Sequence, residues 1–324
     1  PHVLVLARLL RLLRTEQTPL GDAASLLNVS RETAHRALGD LEQLGFEFIK
    51  HPFQGCLLSR EPRQLLAVDI ISRLEQTQTW GVEVHAKTES TNDLGLRHGE
   101  MGQPMPCAIF AEEQTAGRGR LGRRWISSPN ASLCLSAVVR PLLAPARWHL
   151  MAAAAAVALT HAIHAVTGLQ AKIKWPNDIL LGGKKLGGIL VESVMHDPSR
   201  AFVVIGIGLN IQSMLFEGTL RMRATTLQDE AGCEIPRSPL AAAILDSLLQ
   251  HMPRNEASIA SLLAEFRAQS VLLGREVSAM RPDGSAIDGL AEEIDEEGRL
   301  IVRTHLGQRE VLTAAEITLT DWGG

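Results

Sequence analysis

The chain has only four cysteines in 324 residues, Cys56, Cys107, Cys134 and Cys233, and none stands at a C-x-x-C spacing or within a Cys/His cluster. That excludes a cysteine-built zinc site and a disulfide framework, and reads as reduced core thiols. The eleven histidines are scattered as well. Only His161 and His164, three apart on an alanine-rich helix, could share an ion. Such a pair is more often two surface side chains, and no metal site is assigned to protein ligands. Long apolar runs are missing: Leu150 to Leu159 is about half of what crosses a bilayer. Arg8, Arg11 and Arg14 interrupt the apolar N-terminal stretch at three-residue spacing, which makes it an amphipathic helix and not a signal peptide. A cytoplasmic protein without a membrane segment is expected. Excess charge is lacking too. A net charge of −4 gives no overall attraction to nucleic acid, so a contact of that kind needs a local patch. No internal repeat occurs, and no Ser/His/Asp or Cys/His arrangement marks a protein nucleophile.

What is there is globular. Hydrophobic content is 45% and charged content 21%, near the averages of folded proteins, and the length calls for more than one domain. Residues 1–64 read as three helices and a hairpin. Val3, Leu6, Leu9, Leu10 and Leu13 recur at helical spacing, and a second helix runs from about Leu20 to Leu27. Ser30 N-caps a third, which carries Ala34, Ala37, Leu38, Leu41 and Leu44 as its buried stripe and stops at Gly45. Two strands around His51-Pro52-Phe53-Gln54-Gly55 complete a winged helix-turn-helix. In that fold the third helix enters the major groove, so Ser30, Arg31, Thr33, His35 and Arg36, with Lys50 on the wing, are the expected DNA contacts. Eight Lys/Arg against seven Asp/Glu in this segment is a weak charge for DNA binding alone, and a helical domain for protein contacts is the alternative.

Residues 65–270 read as a mixed α/β domain with its long helix over 147–167. Residues 271–324 read as a small SH3-like β-barrel, their short strands broken at Pro282-Asp283-Gly284, Glu297-Gly298 and Leu306-Gly307. The chain is thus a multidomain α+β protein.

The densest chemistry lies in Gly117-Arg118-Gly119-Arg120-Leu121-Gly122-Arg123. Glycine turns backbone N–H groups toward a bound group, and arginine supplies a planar fork for carboxylate or phosphate oxygens. The run is either a loop that closes over an anion or a solvated basic segment. Lys172 and Lys174 share one face of a strand that ends at Pro176. Lys174 is either a snorkelling surface residue or a rigid point charge between two anions. Gly206 and Gly208 share a strand face where a ligand or a neighbouring chain can approach closely, and Gly187-Gly188 could do the same. Ser90-Thr91-Asn92 offers small hydrogen-bonding side chains and, by itself, reads as a helix cap.

Five blocks together resemble the biotin protein ligase family. They are Glu89-Ser90-Thr91-Asn92, Glu113 to Trp125, Lys174-Trp175-Pro176-Asn177-Asp178, Lys185 to Glu192, and Ile205-Gly206-Ile207-Gly208-Leu209-Asn210, in the family's order. With the winged segment ahead of them, the chain is similar to the bifunctional bacterial form that is also a repressor of biotin synthesis. The C-terminal barrel matches only in length and strand pattern.

The resemblance implies that biotin's carboxylate attacks the α-phosphate of Mg²⁺-bound ATP to give biotinyl-5′-AMP. The biotinyl group then passes to a lysine of a biotin carboxyl carrier protein. It implies that Ser90, Thr91, Asn92 and Gln114 bind biotin and its surroundings, and that Arg118, Gly119 and Arg120 close over the adenylate. Lys174 bridges carboxylate and phosphate, making it and Arg120 the catalytic pair; Gly188, Gly206, Gly208 and Asn210 complete the pocket. A homodimer that forms with adenylate bound and binds operator DNA is implied as well. One departure stands out: some bifunctional members place a tryptophan over the adenine just before the segment that matches Thr225-Thr226-Leu227-Gln228, where this chain has Ala224. A ligase with a non-repressing first domain and a catalytically inactive biotin sensor remain as alternatives.

Overall fold

The computed structural model describes residues 2–195, 197 and 199–319; the last five residues of the segment expected to form a barrel, 320–324, lie outside them. The chain opens with α1 (His2–Thr15), α2 (Leu20–Leu27) and α3 (Arg31–Gln43), then the antiparallel pair β1 (Glu47–His51) and β2 (Gly55–Arg60). Local chemistry sets the boundaries. Ser30 accepts a hydrogen bond from the Thr33 amide at 3.0 Å and starts α3. At its other end Gly45 adopts φ +93°, and the Phe46 amide reaches back to the Leu41 carbonyl. A short α4 (Ala67–Arg73) follows.

Next come β3 (Gly81–Thr88), α5 (Thr91–Glu100), β4 (Cys107–Gln114) and β5 (Ser132–Val139). A 3₁₀ turn (Pro145–Leu150) runs into α6 (Met151–Thr167), and β6 (Lys172–Lys174), β7 (Asp178–Leu181), β8 (Lys184–Val194) and β9 (Phe202–Asn210) complete the strands of this region. They form a seven-stranded sheet in the order β3-β4-β5-β9-β8-β7-β6, antiparallel except for β3 with β4. The central strands β5 and β9 are buried along their whole length, as expected where helices cover both faces. On one face α5 packs through Gly95 and Gly99, where a methyl group would overlap Val204 and the Phe202 ring. On the other lies α6.

The helical stretch Pro145–Thr167 is 23 residues long, more than the apolar run Leu150 to Leu159 suggests, because the 3₁₀ turn continues into α6. By length and composition alone it is long enough to cross a membrane. With 61% of its apolar window buried, it serves here as the central core helix.

Beyond the sheet lie two short helices, α7 (Leu220–Arg223) and α8 (Leu227–Ala231), and then α9 (Arg237–His251) and α10 (Glu256–Gln269). The strands β10 (Glu276–Met280), β11 (Ala286–Ile294), β12 (Leu300–Thr304), β13 (Arg309–Leu312) and β14 (Glu316–Leu319) form a five-stranded antiparallel sheet in the order β13-β12-β11-β10-β14. One connected cluster of buried apolar residues runs from Leu6 to Leu319 and includes parts of all these regions.

Candidate active site

Strand register builds the site. Reading across the sheet, Ala111 pairs with Cys134, Cys134 with Gly208, Gly208 with Gly188, Gly188 with Asp178 and Asp178 with Lys174. Paired residues point to the same face, so residues far apart in sequence form one row. Two adjacent glycines make a trough in its middle. The Trp125 ring fills the space above Gly208, and Asn92 Oδ1 the space above Gly206, one step along β9; a methyl group at either glycine would overlap them. Gly188 is different, since a methyl group there would meet Lys185 and Asp178 only at ordinary contact distance. Gly187 is the tighter of that pair, against Leu209 and the Gly208 carbonyl.

A polar network lies beside the trough. Ser90, Thr91, Asn92 and Ser136 are all buried. Gln114 Oε1 accepts from the Thr91 amide at 2.7 Å and from its hydroxyl at 3.0 Å. Ser136 Oγ lies 2.8 Å from Thr91 Oγ1 and 2.5 Å from Asn92 Oδ1, and Asn92 Nδ2 donates to Glu192 at 2.7 Å. Ser90 occupies the N-cap position of α5 without any side-chain bond to the helix, so the cap reading does not account for it. Buried polar side chains linked in this way are rigid and set up for hydrogen bonding to a polar ligand.

The glycine-arginine loop folds into a tight hairpin over a cleft of about 550 Å³, lined by Ala116 to Arg124 with Leu190 and Glu192. The Trp125 amide donates to the Gly117 carbonyl and the Gly119 amide to the Arg123 carbonyl, with Leu121 turning at φ 56°. Arg118 faces carboxylates here: it pairs with Glu192 at 2.8 Å and Asp93 at 2.7 Å. Arg120 is half-buried and donates to Asn177 Oδ1 at 3.2 Å. Asn177 in turn donates from Nδ2 to the Ile189 carbonyl, which ties the turn after β6 to β8. Arg123 bonds Glu316 on β14.

Charge sharpens the picture. Burial pushes Lys174 below the ordinary lysine range; Asp178 partly restores it, while Lys185 and Arg223 push it further down. Burial also lowers Arg120, against an opposing pull from Asp178. Asp178 is already held by Lys185 Nζ at 2.6 Å. Lys174 and Arg120 are thus two partly desolvated cations that both feel Asp178, Lys174 also Glu316, and an anion beside them would offset the cost of their burial.

Asn210 stands apart from this group. It is buried and donates to the Thr225 carbonyl, so it anchors the segment after α7, where Ala224 is itself buried. The residues expected to contact DNA sit elsewhere, on α3 and the β1–β2 hairpin. Arg36 pairs with Glu32 at 3.0 Å and Lys50 with Glu42 at 2.7 Å, while Ser30 and Thr33 are bonded to each other. Sequence reading missed Ser136, Asn177, Asp178, Glu192 and the placement of Trp125 as parts of the site. Asn177, Asp178 and Glu192 lay within blocks already singled out, whereas Ser136 carried no signal, because only register brings it to Asn92.

Residues 83–210 match the Biotin/lipoate A/B protein ligase family and residues 272–319 the Biotin protein ligase C terminal domain. A biotin–[acetyl-CoA-carboxylase] ligase of Mycobacterium tuberculosis is 34% identical over 239 residues, 72% of this chain and 86% of its own. The chain belongs to the biotin protein ligase family. The bifunctional ligase/repressor BirA of Bacillus subtilis is 30% identical over 296 residues, 89% of this ligase and 90% of its own length. Among solved structures, the biotin protein ligase from Aquifex aeolicus in complex with biotin and ATP superposes with a TM-score of 0.60 at 26% identity, covering 74% of this ligase and 97% of that chain. The ligase fold with its C-terminal β-rich region is therefore shared.

Proposed function

We propose that the cleft under the Gly117 to Arg123 loop binds biotin and Mg²⁺-bound ATP, joins them as biotinyl-5′-AMP, and passes the biotinyl group to a lysine of a biotin carboxyl carrier protein. The single observation that carries this reading is the cross-sheet row from Cys134 to Lys174. It sets a half-buried cation at one end of a glycine trough whose flank is the Thr91–Asn92–Ser136–Gln114 network. In the first step a biotin carboxylate oxygen forms a bond to the α-phosphorus and pyrophosphate leaves. In the second, the carrier's lysine amine attacks the biotinyl carbonyl and AMP leaves. Both nucleophiles belong to substrates, so the protein's task is positioning and charge stabilisation.

Each residue then has a defined part. Ser90, Thr91, Asn92 and Gln114 hold the polar end of biotin. Lys174 and Arg120 stand where carboxylate and phosphate meet and offset the charge that builds between them. Arg118 and Gly119 close from above, with Arg118 exchanging its carboxylate partners for the ligand. Gly188, Gly206 and Gly208 keep the floor low. Asn210 fixes the segment that would lie along the adenosine, and Mg²⁺ arrives on the phosphates. The domains we assign are a winged helix-turn-helix over 1–64, the ligase domain over 65–270 and an SH3-like barrel over 271–324, in a cytoplasmic protein. Pyrophosphate release measured with biotin and ATP tests the site. Lys174→Ala or Arg120→Ala is expected to lower it by orders of magnitude with the circular dichroism spectrum unchanged, and near-normal release would overturn the assignment. Streptavidin detection of a modified carrier separates biotinylation from lipoylation.

A second role has its own support. The three helices and hairpin of residues 1–64 stand ahead of the ligase region, and the Bacillus subtilis relative, described as a ligase/repressor, matches over more of the chain than residues 65 onward can supply. We propose that the chain also represses biotin-synthesis genes, with Ser30, Arg31, Thr33, His35, Arg36 and Lys50 at the DNA and biotinyl-AMP promoting the homodimer that binds the operator. Glu32 and Glu42 neutralise two of those cations, so dimerisation has to supply affinity that one copy lacks. A gel shift on the chain's own biotin-synthesis promoter is expected only with biotin and ATP present. Ligation without any shift would leave an enzyme with a non-repressing first domain.

A further inference from the structure

A cluster of side chains that the ligase reaction does not use gathers where α6, α9 and α10 meet. His161 of α6 was weighed in the sequence with His164, but the structure separates the two: His164 turns to the Gly168 carbonyl and Gln170. His161 instead meets side chains from two other helices. Its Nε2 lies 3.1 Å from Glu265 Oε2 on α10, and Nε2 of His251, the last residue of α9, lies 3.7 Å from the same oxygen. All three potential ligand atoms fall within 4.8 Å of one another. Two ligands each about 2.1 Å from a tetrahedral ion stand about 3.4 Å apart, and the two measured separations lie on either side of that distance.

The surroundings suit a metal ion. His251 Nδ1 lies 2.8 Å from the Ser247 carbonyl, which can only accept, so that nitrogen carries the hydrogen. The other nitrogen, Nε2, is left facing the same Glu265 oxygen that His161 Nε2 faces, so two imidazole nitrogens from different helices gather around one carboxylate oxygen. A backbone carbonyl that fixes the far nitrogen of an imidazole is also the usual partner of a metal-bound histidine. Side-chain exposures of 47% for His161, 16% for His251 and 38% for Glu265 leave one side open to water. The other candidate trio among the described residues, Glu83, His98 and Cys107, also has its imidazole on a backbone carbonyl, that of Pro104 at 3.0 Å, but its third ligand is a thiol. Its thiol is buried and pushed up to about 12, so it stays protonated and is a poor ligand.

We propose that His161, His251 and Glu265 bind one divalent transition-metal ion of the zinc type, two imidazoles and a carboxylate with water in the remaining positions, and that the ion clips the three helices together. Imidazole with carboxylate suits zinc among the available ions. The test is titration of the full chain with Zn²⁺ against a competing chelator dye, together with the melting temperature. One ion per chain is expected, with a zinc-dependent rise in melting temperature. His161→Ala and Glu265→Gln should each weaken binding by about tenfold or more and abolish the rise. Biotin ligation by both variants should stay at the parent level and so report that the fold is intact. Cys233→Ser and Cys107→Ser should bind as the parent does. Equal zinc affinity in the parent and the His161 and Glu265 variants would overturn the proposal. So would loss of binding in either cysteine variant.

Discussion

Lys174 shows how a single residue's setting gives it a role. Its strand neighbour Lys172 is exposed, while Lys174 is half-buried beside Asp178, and burial lowers its pKa. The charged form is the one that bridges two anions, so adenylate formation is expected to fall as pH rises through a value below the ordinary 10.5 of lysine. Lys174→Arg keeps its charge at every accessible pH and should remove that alkaline limb whatever its absolute rate; an unchanged limb in the pH profile of pyrophosphate release would assign the titration elsewhere. Gly206 gives a second residue-scale expectation. A methyl group there overlaps Asn92 Oδ1 and would push Asn92 off Ser136 and Glu192. Gly206→Ala should therefore weaken biotin binding about tenfold or more, for the cost of displacing a buried hydrogen-bonded group, and unchanged affinity by calorimetry would show that the amide is not part of the pocket.

Among the elements, α9 is joined to β4 by a buried ion pair. Arg237, with 2% of its side chain exposed, pairs with Glu112 at 2.6 Å and also donates to the Ser132 and Arg63 carbonyls, while the Glu112 carboxylate accepts from the Leu65 amide. Removing one member leaves a buried charge unmatched, so Arg237→Ala should lose about 3–5 kcal/mol of stability in urea unfolding; a loss below about 1 kcal/mol would mean that water replaces the arginine. Helices were legible in the sequence because stripes such as Ala34, Ala37, Leu38 and Leu41, and caps such as Ser30, are local. The strand β3 and, beyond its cap, the helix α5 were not marked out, although they flank Ser90. The burial of β3 alternates only in part, and α5 opens with two buried polar side chains, Thr91 and Asn92, joined to the polar network, which defeats a reading based on apolar periodicity.

At the scale of the whole molecule the three groups of elements are tied together. Arg14 of α1 reaches Asp69 of α4 at 2.7 Å and Glu61 at 2.8 Å, Trp175 donates to the Gly298 carbonyl of the C-terminal region at 3.0 Å, and Arg123 of the loop bonds Glu316. The loop thus stands between the cleft and the C-terminal sheet. Filling the cleft is expected to order it, so trypsin cleavage at Arg118, Arg120 and Arg123 should slow when biotin and ATP are added together; equal cleavage with and without them would leave the loop with no role as a lid. The sequence by itself determined the helices and turns and the kind of chemistry, because capping, apolar spacing and a glycine-arginine loop act over a few residues. Only the tertiary structure decided which of those residues meet. Strand register put Lys174 in a row with Gly188, Gly208 and Cys134, brought Ser136 to Asn92 and turned Arg118 onto Glu192, and helix packing parted His161 from His164 in favour of His251 and Glu265, since each of these contacts depends on the alignment of segments far apart in the chain.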